Sequence, residues 1–191
     1  KKVDEAIYNE EGRKAVQYGT TEGYVPLREE ICKRMKDKFF VDCKPEDVVV
    51  TTGSQQALFI LAQILVDKDQ TILMESPSYM GAIMAFDPVG PRYTEVPTDD
   101  QGIVPEELEK ILAEYGDRVR LMYVIPEFQN PTGITWPMER RKAFMDIVNK
   151  YDFPVIEDDP YGELRYDGDV VPSLKSMDTK GNNHLPGSFV E

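Results

Sequence analysis

Apolar residues recur along this chain in two periods, and the two alternate regularly enough to outline a fold. Leu27, Ile31 and Met35 stand at helical spacing with Arg28, Glu29, Glu30, Lys33 and Arg34 between them. A half-exposed amphipathic helix is therefore predicted to begin at Pro26. From Pro45 the pattern tightens. Val48-Val49-Val50-Thr51-Thr52 reads as a strand, Gly53-Ser54 as a tight turn, and Gln55 to Val66 as a buried helix. Thr71 to Glu75 is a second predicted strand, Tyr79 to Phe86 a short helix, and Arg92 to Val96 a third strand of alternating character. Pro105 to Tyr115 reads as a helix with proline at its first position, where the missing donor costs least. Val119 to Ile125, Met138 to Tyr151 and Pro154 to Ile156 complete the series as strand, helix and strand. Before all this, Val3, Ala6 and Ile7 line one face of a short helix, and beyond Tyr166 the chain reads as loops.

Strands alternating with helices across short linkers predict a three-layer α/β/α sandwich around a mostly parallel sheet. Right-handed crossovers would put the carboxyl ends of the strands on one rim. That rim would collect Gly53-Ser54-Gln55, Ser76-Pro77-Ser78-Tyr79, Asn130-Pro131-Thr132-Gly133 and Asp158-Asp159-Pro160-Tyr161. Ligands of open α/β sheets bind at such a rim.

A length of 191 residues allows one substantial domain. The balance of 35 acidic against 22 basic residues gives a net charge of −13, with the basic residues scattered, so neither nucleic acid nor an anionic membrane surface is an expected partner. No apolar run approaches a membrane span. The chain begins at Lys1 rather than Met, so its start reads as cut. Cys32 and Cys43 lack CxxC spacing and read as a reduced thiol pair, which with the absence of a targeting segment points to the cytoplasm. The single histidine, His184, leaves histidine-dependent nucleophile systems and zinc sites short of ligands, and no metal site is expected.

Each rim segment admits a chemical and a structural reading. Thr51 to Gln56 would turn backbone donors and the positive end of a helix dipole toward a phosphate, or Ser54 would simply cap the helix. Neither GxGxxG nor a Walker lysine is present, so this is not a dinucleotide fingerprint or a P-loop. Tyr79 offers an aromatic face to a flat ring, or packs beneath its loop. Asn130 presents an amide, or makes a turn. Asp158 would keep a ring nitrogen protonated and Tyr161 would donate to a ring oxygen, with Glu157 and Asp159 structural, or the whole stretch is an acidic turn that caps a strand.

Tyr18, Gly23, Leu27-Arg28, Gly53-Ser54-Gln55-Gln56-Ala57-Leu58, Pro77-Ser78-Tyr79, Asn130-Pro131-Thr132-Gly133 and Glu157-Asp158-Asp159-Pro160-Tyr161 together resemble the class I pyridoxal-phosphate aminotransferases of fold type I. Within them the resemblance is strongest to the group of 2-aminoadipate and kynurenine transaminases and the MocR-type regulators. It implies the large domain of a homodimeric enzyme with pyridoxal 5'-phosphate as cofactor and an amino acid and a 2-oxo acid as substrates. By that resemblance, Ser54 and Gln55 hold the cofactor phosphate, Tyr79 stacks on the pyridine ring, Asp158 pairs with the ring nitrogen, and Asn130 and Tyr161 donate to the phenolic oxygen. Tyr18 reaches the phosphate of the neighbouring subunit. Residues 1–44 would form the N-terminal segment and dimer-contact loop, and 45–191 a partial cofactor-binding large domain.

One departure bears on activity. The family's Schiff-base lysine ends a segment resembling Gly-Ser-Phe-Ser-Lys, whereas here Gly187-Ser188-Phe189 leads to Val190 and Glu191, so Glu191 stands where that lysine is expected. A carboxylate forms no imine, and the chain as written is expected to bind cofactor weakly and not to transaminate. The competing readings are a non-enzymatic ligand-sensing domain of a MocR-type regulator and an α/β phosphate binder of another kind.

Overall fold

The computed structural model of the chain describes residues 8, 12, 17–151 and 153–179, together with the backbone of 187 and 188. Val3, Ala6, Ile7, His184 and Glu191 lie outside the described residues.

Helix α1 (Val25–Phe39) has Pro26 in its first turn and closes on Phe40 in the left-handed region at φ 60°. Met35 and Phe39 pack with Val41, Ile31 and Cys43. Leu27, placed on the apolar stripe by its spacing, is exposed, and the inward position goes to Arg28, whose guanidinium donates to Pro45 O at 2.9 Å. Cys32 and Cys43 are adjacent and unbridged, and burial with the Cys32 contact pushes the Cys43 thiol up to about 12.

The predicted strand at Val48–Thr52 does not form. After a 3-10 turn at Pro45–Asp47 the segment runs extended without a neighbouring strand, its one ladder-like bond going from Val50 N to Glu22 O at 2.9 Å. A β-branched run supplies the propensity for a strand but not the partner that a strand requires. Helix α2 (Gly53–Leu65) follows, and it is not the buried helix that its composition predicts: Leu58 and Ala62 are buried in the core with Leu61 and Leu65 partly buried beside them, while Phe59, Ile60 and Ile64 are exposed, Ile64 at 71%.

The remaining elements keep close to their predicted ranges, except that the strand at Gly102–Ile103 has no predicted counterpart and the strand at Gly187–Ser188 falls where the sequence reads as loops. They are β1 (Thr71–Ser76), α3 (Met80–Phe86), β2 (Arg92–Asp99), β3 (Gly102–Ile103), α4 (Pro105–Tyr115), β4 (Val119–Val124), α5 (Met138–Tyr151), β5 (Val155–Asp158) and β6 (Gly187–Ser188). The strands form one sheet in the order β3-β2-β1-β4-β5-β6, parallel except for the β2–β3 hairpin, which the pattern of the sequence did not suggest.

Alternation along the central strands sorts the core into two halves. Ile72, Met74, Leu121, Tyr123, Ile125 and Ile156 face Leu58 and Ala62 of α2 and Ala82, Ala85 and Phe86 of α3. Leu73, Val96, Met122, Val124 and Val155 face Leu108 and Leu112 of α4 and Phe144, Met145 and Val148 of α5. The outcome is the expected α/β/α sandwich. No helix among the described residues is long and apolar enough to cross a membrane.

Gly102 in β3 tests how tightly the second half is packed. It sits at φ +104°, and a Cβ added there would fall 2.3 Å from Cδ1 of Trp136, a fully buried ring in edge contact with Phe144. Gly102→Ala therefore combines backbone strain with overpacking, and is expected to lower unfolding stability by about 3 kcal/mol in urea denaturation.

Candidate functional site

The strand order reverses at β1. From β1 the chain crosses to β2 on one side, and after α4 it returns to place β4 on the other, so a crevice opens beyond the carboxyl ends of β1 and β4. Helix α2 runs back into the start of β1, which puts its amino end on the same rim. The loops after β1, β4 and β5 supply the other walls.

Two side chains lock the first two loops together. Glu75, buried near the end of β1, accepts Ile125 N–H through Oε2 at 2.9 Å. Gln129 donates through Nε2 to Pro77 O at 2.8 Å and accepts Thr132 N–H and Oγ1–H at 2.8 and 2.7 Å. The 129–134 loop is closed by Gly133 N to Gln129 O and Gln129 N to Ile134 O, which leaves Asn130 half-buried beyond Gln129 with no side-chain hydrogen bond among the described residues.

Beneath this loop lies a buried ionic cluster. Glu127 accepts Arg141 Nη2 at 2.6 Å on Oε1 and Arg165 Nη2 at 2.5 Å on Oε2. Arg141 also donates to the carbonyls of Pro126, Trp136 and Pro172, and Arg165 lies over the ring of Phe128, which holds φ 47°. The clamp thus joins the loop bearing Asn130 to the segment that follows Tyr161.

Asp158 ends β5 on the same face as Tyr123 and Ile156. The Tyr123 hydroxyl donates to its Oδ2 at 2.6 Å, and its other oxygen, Oδ1, is fully buried without a partner among the described residues. Burial pushes the carboxyl up to about 6, against the pull of the Tyr123 bond. Its neighbours have other tasks, as the sequence suggested. Glu157 points to the opposite face and accepts Leu174 N–H and Lys175 N–H at 2.8 and 3.0 Å, anchoring a 3-10 turn at Leu174–Met177. Asp159 accepts Gly162 N–H at 2.7 Å and shapes the turn.

Tyr161 is half-buried beside that turn. Tyr79 stands at the amino end of α3 with its ring across Gly81, where an added Cβ would meet Tyr79 Cζ at 2.4 Å. Ser54 is half-buried and Gln55 exposed in the first turn of α2. The capping residue there is Thr52, not Ser54, and it makes no side-chain cap bond. The Gln56 side chain instead turns back to accept Thr52 N–H at 2.6 Å, so the first-turn donors of α2 stay available to an anion. The structure therefore gathers Ser54, Gln55, Tyr79, Asn130, Asp158 and Tyr161 on one rim. It does not bring Tyr18 to them: that side chain is fully exposed. Among the described residues no group of three or more His, Cys, Asp or Glu could hold a metal.

Reading the chain by motif missed Tyr123, Glu75, Gln129 and the Glu127 clamp. Alternation alone carried a signal for Tyr123, since it falls between Leu121 and Ile125 on the face that Asp158 shares.

The family model described as Aminotransferase class I and II matches residues 1–189. The aromatic-amino-acid aminotransferase 1 of Thermococcus litoralis is 36% identical over 190 residues, covering 98% of this chain and 46% of that protein. The crystal structure of LysN, the α-aminoadipate aminotransferase of Thermus thermophilus complexed with N-(5'-phosphopyridoxyl)-L-leucine, superposes with a TM-score of 0.85 at 38% identity, covering 96% of this chain and 46% of that one. The HTH-type transcriptional regulator YisV of Bacillus subtilis is 34% identical over 172 residues, 90% of this chain and 35% of that protein. The chain spans about half the length, or less, of these relatives.

Two measurements probe the site's scaffold. Burial pushes Glu75 up to about 8, so the unfolded chain ionises it at about pH 4.3 while the folded chain keeps its proton. Its contribution to stability is whole at acid pH and is lost as pH rises toward 8; Glu157, pushed up to about 7, acts in the same direction. Urea midpoints of Glu75→Gln are therefore expected to fall less between about pH 5 and pH 8 than those of the native chain. Glu127→Ala strands two arginines in the interior and is expected to cost about 3–5 kcal/mol, read from the same titrations at about pH 7.

Proposed function

The chain belongs to the aminotransferase class I and II family, and from that membership we propose that it is the large-domain portion of a pyridoxal-phosphate-dependent amino-acid aminotransferase. The observation that carries the proposal is Asp158 Oδ1, a buried acceptor at the carboxyl end of β5 with no donor among the described residues. A buried polar atom without a partner is costly, and a protonated ring nitrogen is the donor this one lacks. The uncapped amino end of α2 fits the phosphate of the same cofactor. The residues present thus suit the group.

In this reading Ser54 and Gln55 hold the phosphate, Tyr79 covers one face of the ring, Asp158 accepts from the ring nitrogen, and Asn130 and Tyr161 donate to the phenolic oxygen. When bound, the cofactor supplies an electron sink for the charge left as the amino acid's α-proton departs. The chain's share is orientation and charge: Asp158 holds a proton at the ring nitrogen, and the Gln129 and Glu127 contacts keep the Asn130 loop at a fixed distance from it. An amino acid would give up its amino group and a 2-oxo acid would receive it.

Tyr18, fully exposed within its own chain, is proposed to serve the phosphate site of a second copy. The exposed apolar face of α2 supports a homodimer. In this reading residues 1–44 belong to that contact and 45–191 to the cofactor domain. The rim segments 53–56, 76–79, 125–133 and 158–162 contain no lysine, and Glu191 stands where the family's lysine is expected. The 191-residue chain is therefore proposed to hold the cofactor without a covalent bond and without turnover. The relation to YisV favours one second reading, a ligand-sensing domain without catalysis; a basic helix-turn-helix segment encoded upstream would support it.

Mixed with pyridoxal phosphate, the chain is expected to give an induced circular-dichroism band that Asp158→Ala abolishes, while borohydride leaves no lysine specifically modified. A band that persists in Asp158→Ala contradicts the cofactor assignment, and specific fixation at a single lysine contradicts the noncovalent one.

A further inference from the structure

The Asp158 carboxylate is held from below by a group that no part of the preceding reading uses. Tyr123 is fully buried near the carboxyl end of β4, two register steps short of Asp158 on the same face of the sheet, since Tyr123 pairs with Ile156. Its ring meets Phe86 edge-on, with centroids 5.8 Å apart and planes at 74°, which fixes the direction of its hydroxyl. That hydroxyl donates to Oδ2 at 2.6 Å, a distance typical of a charge-assisted bond.

Such a bond does two things. A carboxylate in an open pocket exchanges its two oxygens by rotating about its last torsion, but one oxygen tethered to a fixed phenol leaves the other in a fixed direction, and here that oxygen is the unpartnered Oδ1. A donor to the carboxylate also lowers its basicity. When a carboxylate and a pyridine nitrogen share one proton, the less basic carboxylate leaves it on nitrogen.

Resting on the proposed cofactor assignment, we propose that Tyr123 is a positioning residue: its phenol aims Asp158 Oδ1 at the ring nitrogen and keeps the shared proton on that nitrogen. The phenol is suited to donate and not to ionise. Burial first, then the Asp158 charge and hydrogen bond, then the nearby Glu75 and Tyr79, hold its proton far above the ordinary phenol range.

The test uses the full chain loaded with pyridoxal phosphate carrying nitrogen-15 in its ring, whose chemical shift reports protonation directly. In the native chain the shift is expected at the protonated end. In Tyr123→Phe it is expected to move toward the neutral pyridine value, with cofactor affinity reduced on the order of tenfold. Replacing Tyr123 by 4-aminophenylalanine, of nearly the same shape but a weaker donor, should give an intermediate shift, and it decides the matter should the phenylalanine variant fail to fold. A nitrogen shift unchanged from native in the cofactor-loaded variants overturns the role of Tyr123. If the native chain shows no bound signal, or Asp158→Ala keeps it, the cofactor assignment fails instead.

Discussion

The pairing of β1 with β4 is the constraint on which the rest of the molecule depends. It sets Ile72 beside Leu121 and Met74 beside Tyr123, so that the apolar side chains of the two strands are committed to one helical layer or the other. It also places the strand order's reversal between them. Glu75 extends the pairing past the last ladder bond by taking Ile125 N–H with its side chain, at the point where two ordinary strands would begin to splay. The loops that follow β1 and β4 are tied to each other through Gln129 and Pro77.

Four carboxylates are buried in the described structure near this crevice, and their surroundings separate their roles. Glu127 is neutralised by two guanidinium groups. Glu157 receives two backbone N–H groups. Glu75 receives one and is pushed up to about 8, which makes it a neutral structural acid over much of the ordinary pH range. Asp158 alone keeps a fully buried oxygen with no donor. A fold has no stabilising use for such an atom, since a buried unpaired acceptor opposes folding. Its persistence beside three satisfied carboxylates is what the proposed cofactor assignment rests on.

Much of this was legible along the chain. The helices at Pro105–Tyr115 and Met138–Tyr151 match their predicted limits because Pro105, at the first helical position, and unbroken periodic runs are local signals. The failures are non-local. Val48 to Thr52 has every β-forming residue but meets no strand. Gln55 to Val66 is apolar all round, yet one side of α2 faces away from the sheet. Ser54 does not cap, because the turn at Gly53, φ +74°, starts the helix two residues earlier than a serine cap requires. The proposed rim residues are conspicuous in the sequence because they sit in motifs. Tyr123 and Glu127 are not, since each is defined by a partner 35 or 38 positions away.

That last distinction has a physical basis that bears on the site itself. Residues that touch a ligand stand on loops, where glycine and proline punctuate the sequence and make them conspicuous. Residues that orient them stand in strands and read as core. In the proposed reading Asp158 belongs to both classes: it ends a strand, so its direction is set by the sheet, and its buried Oδ1 is the acceptor left for a guest. Tyr123 inherits the first property without the second. A proton held on the Tyr123 phenol by burial and by Asp158 is a proton that cannot drift into the crevice, and a carboxylate fed by such a donor stays ionised where burial alone would neutralise it. The sheet thus supplies both the direction of the acid and the means of keeping it charged, and it does so from residues that only the folded chain brings together.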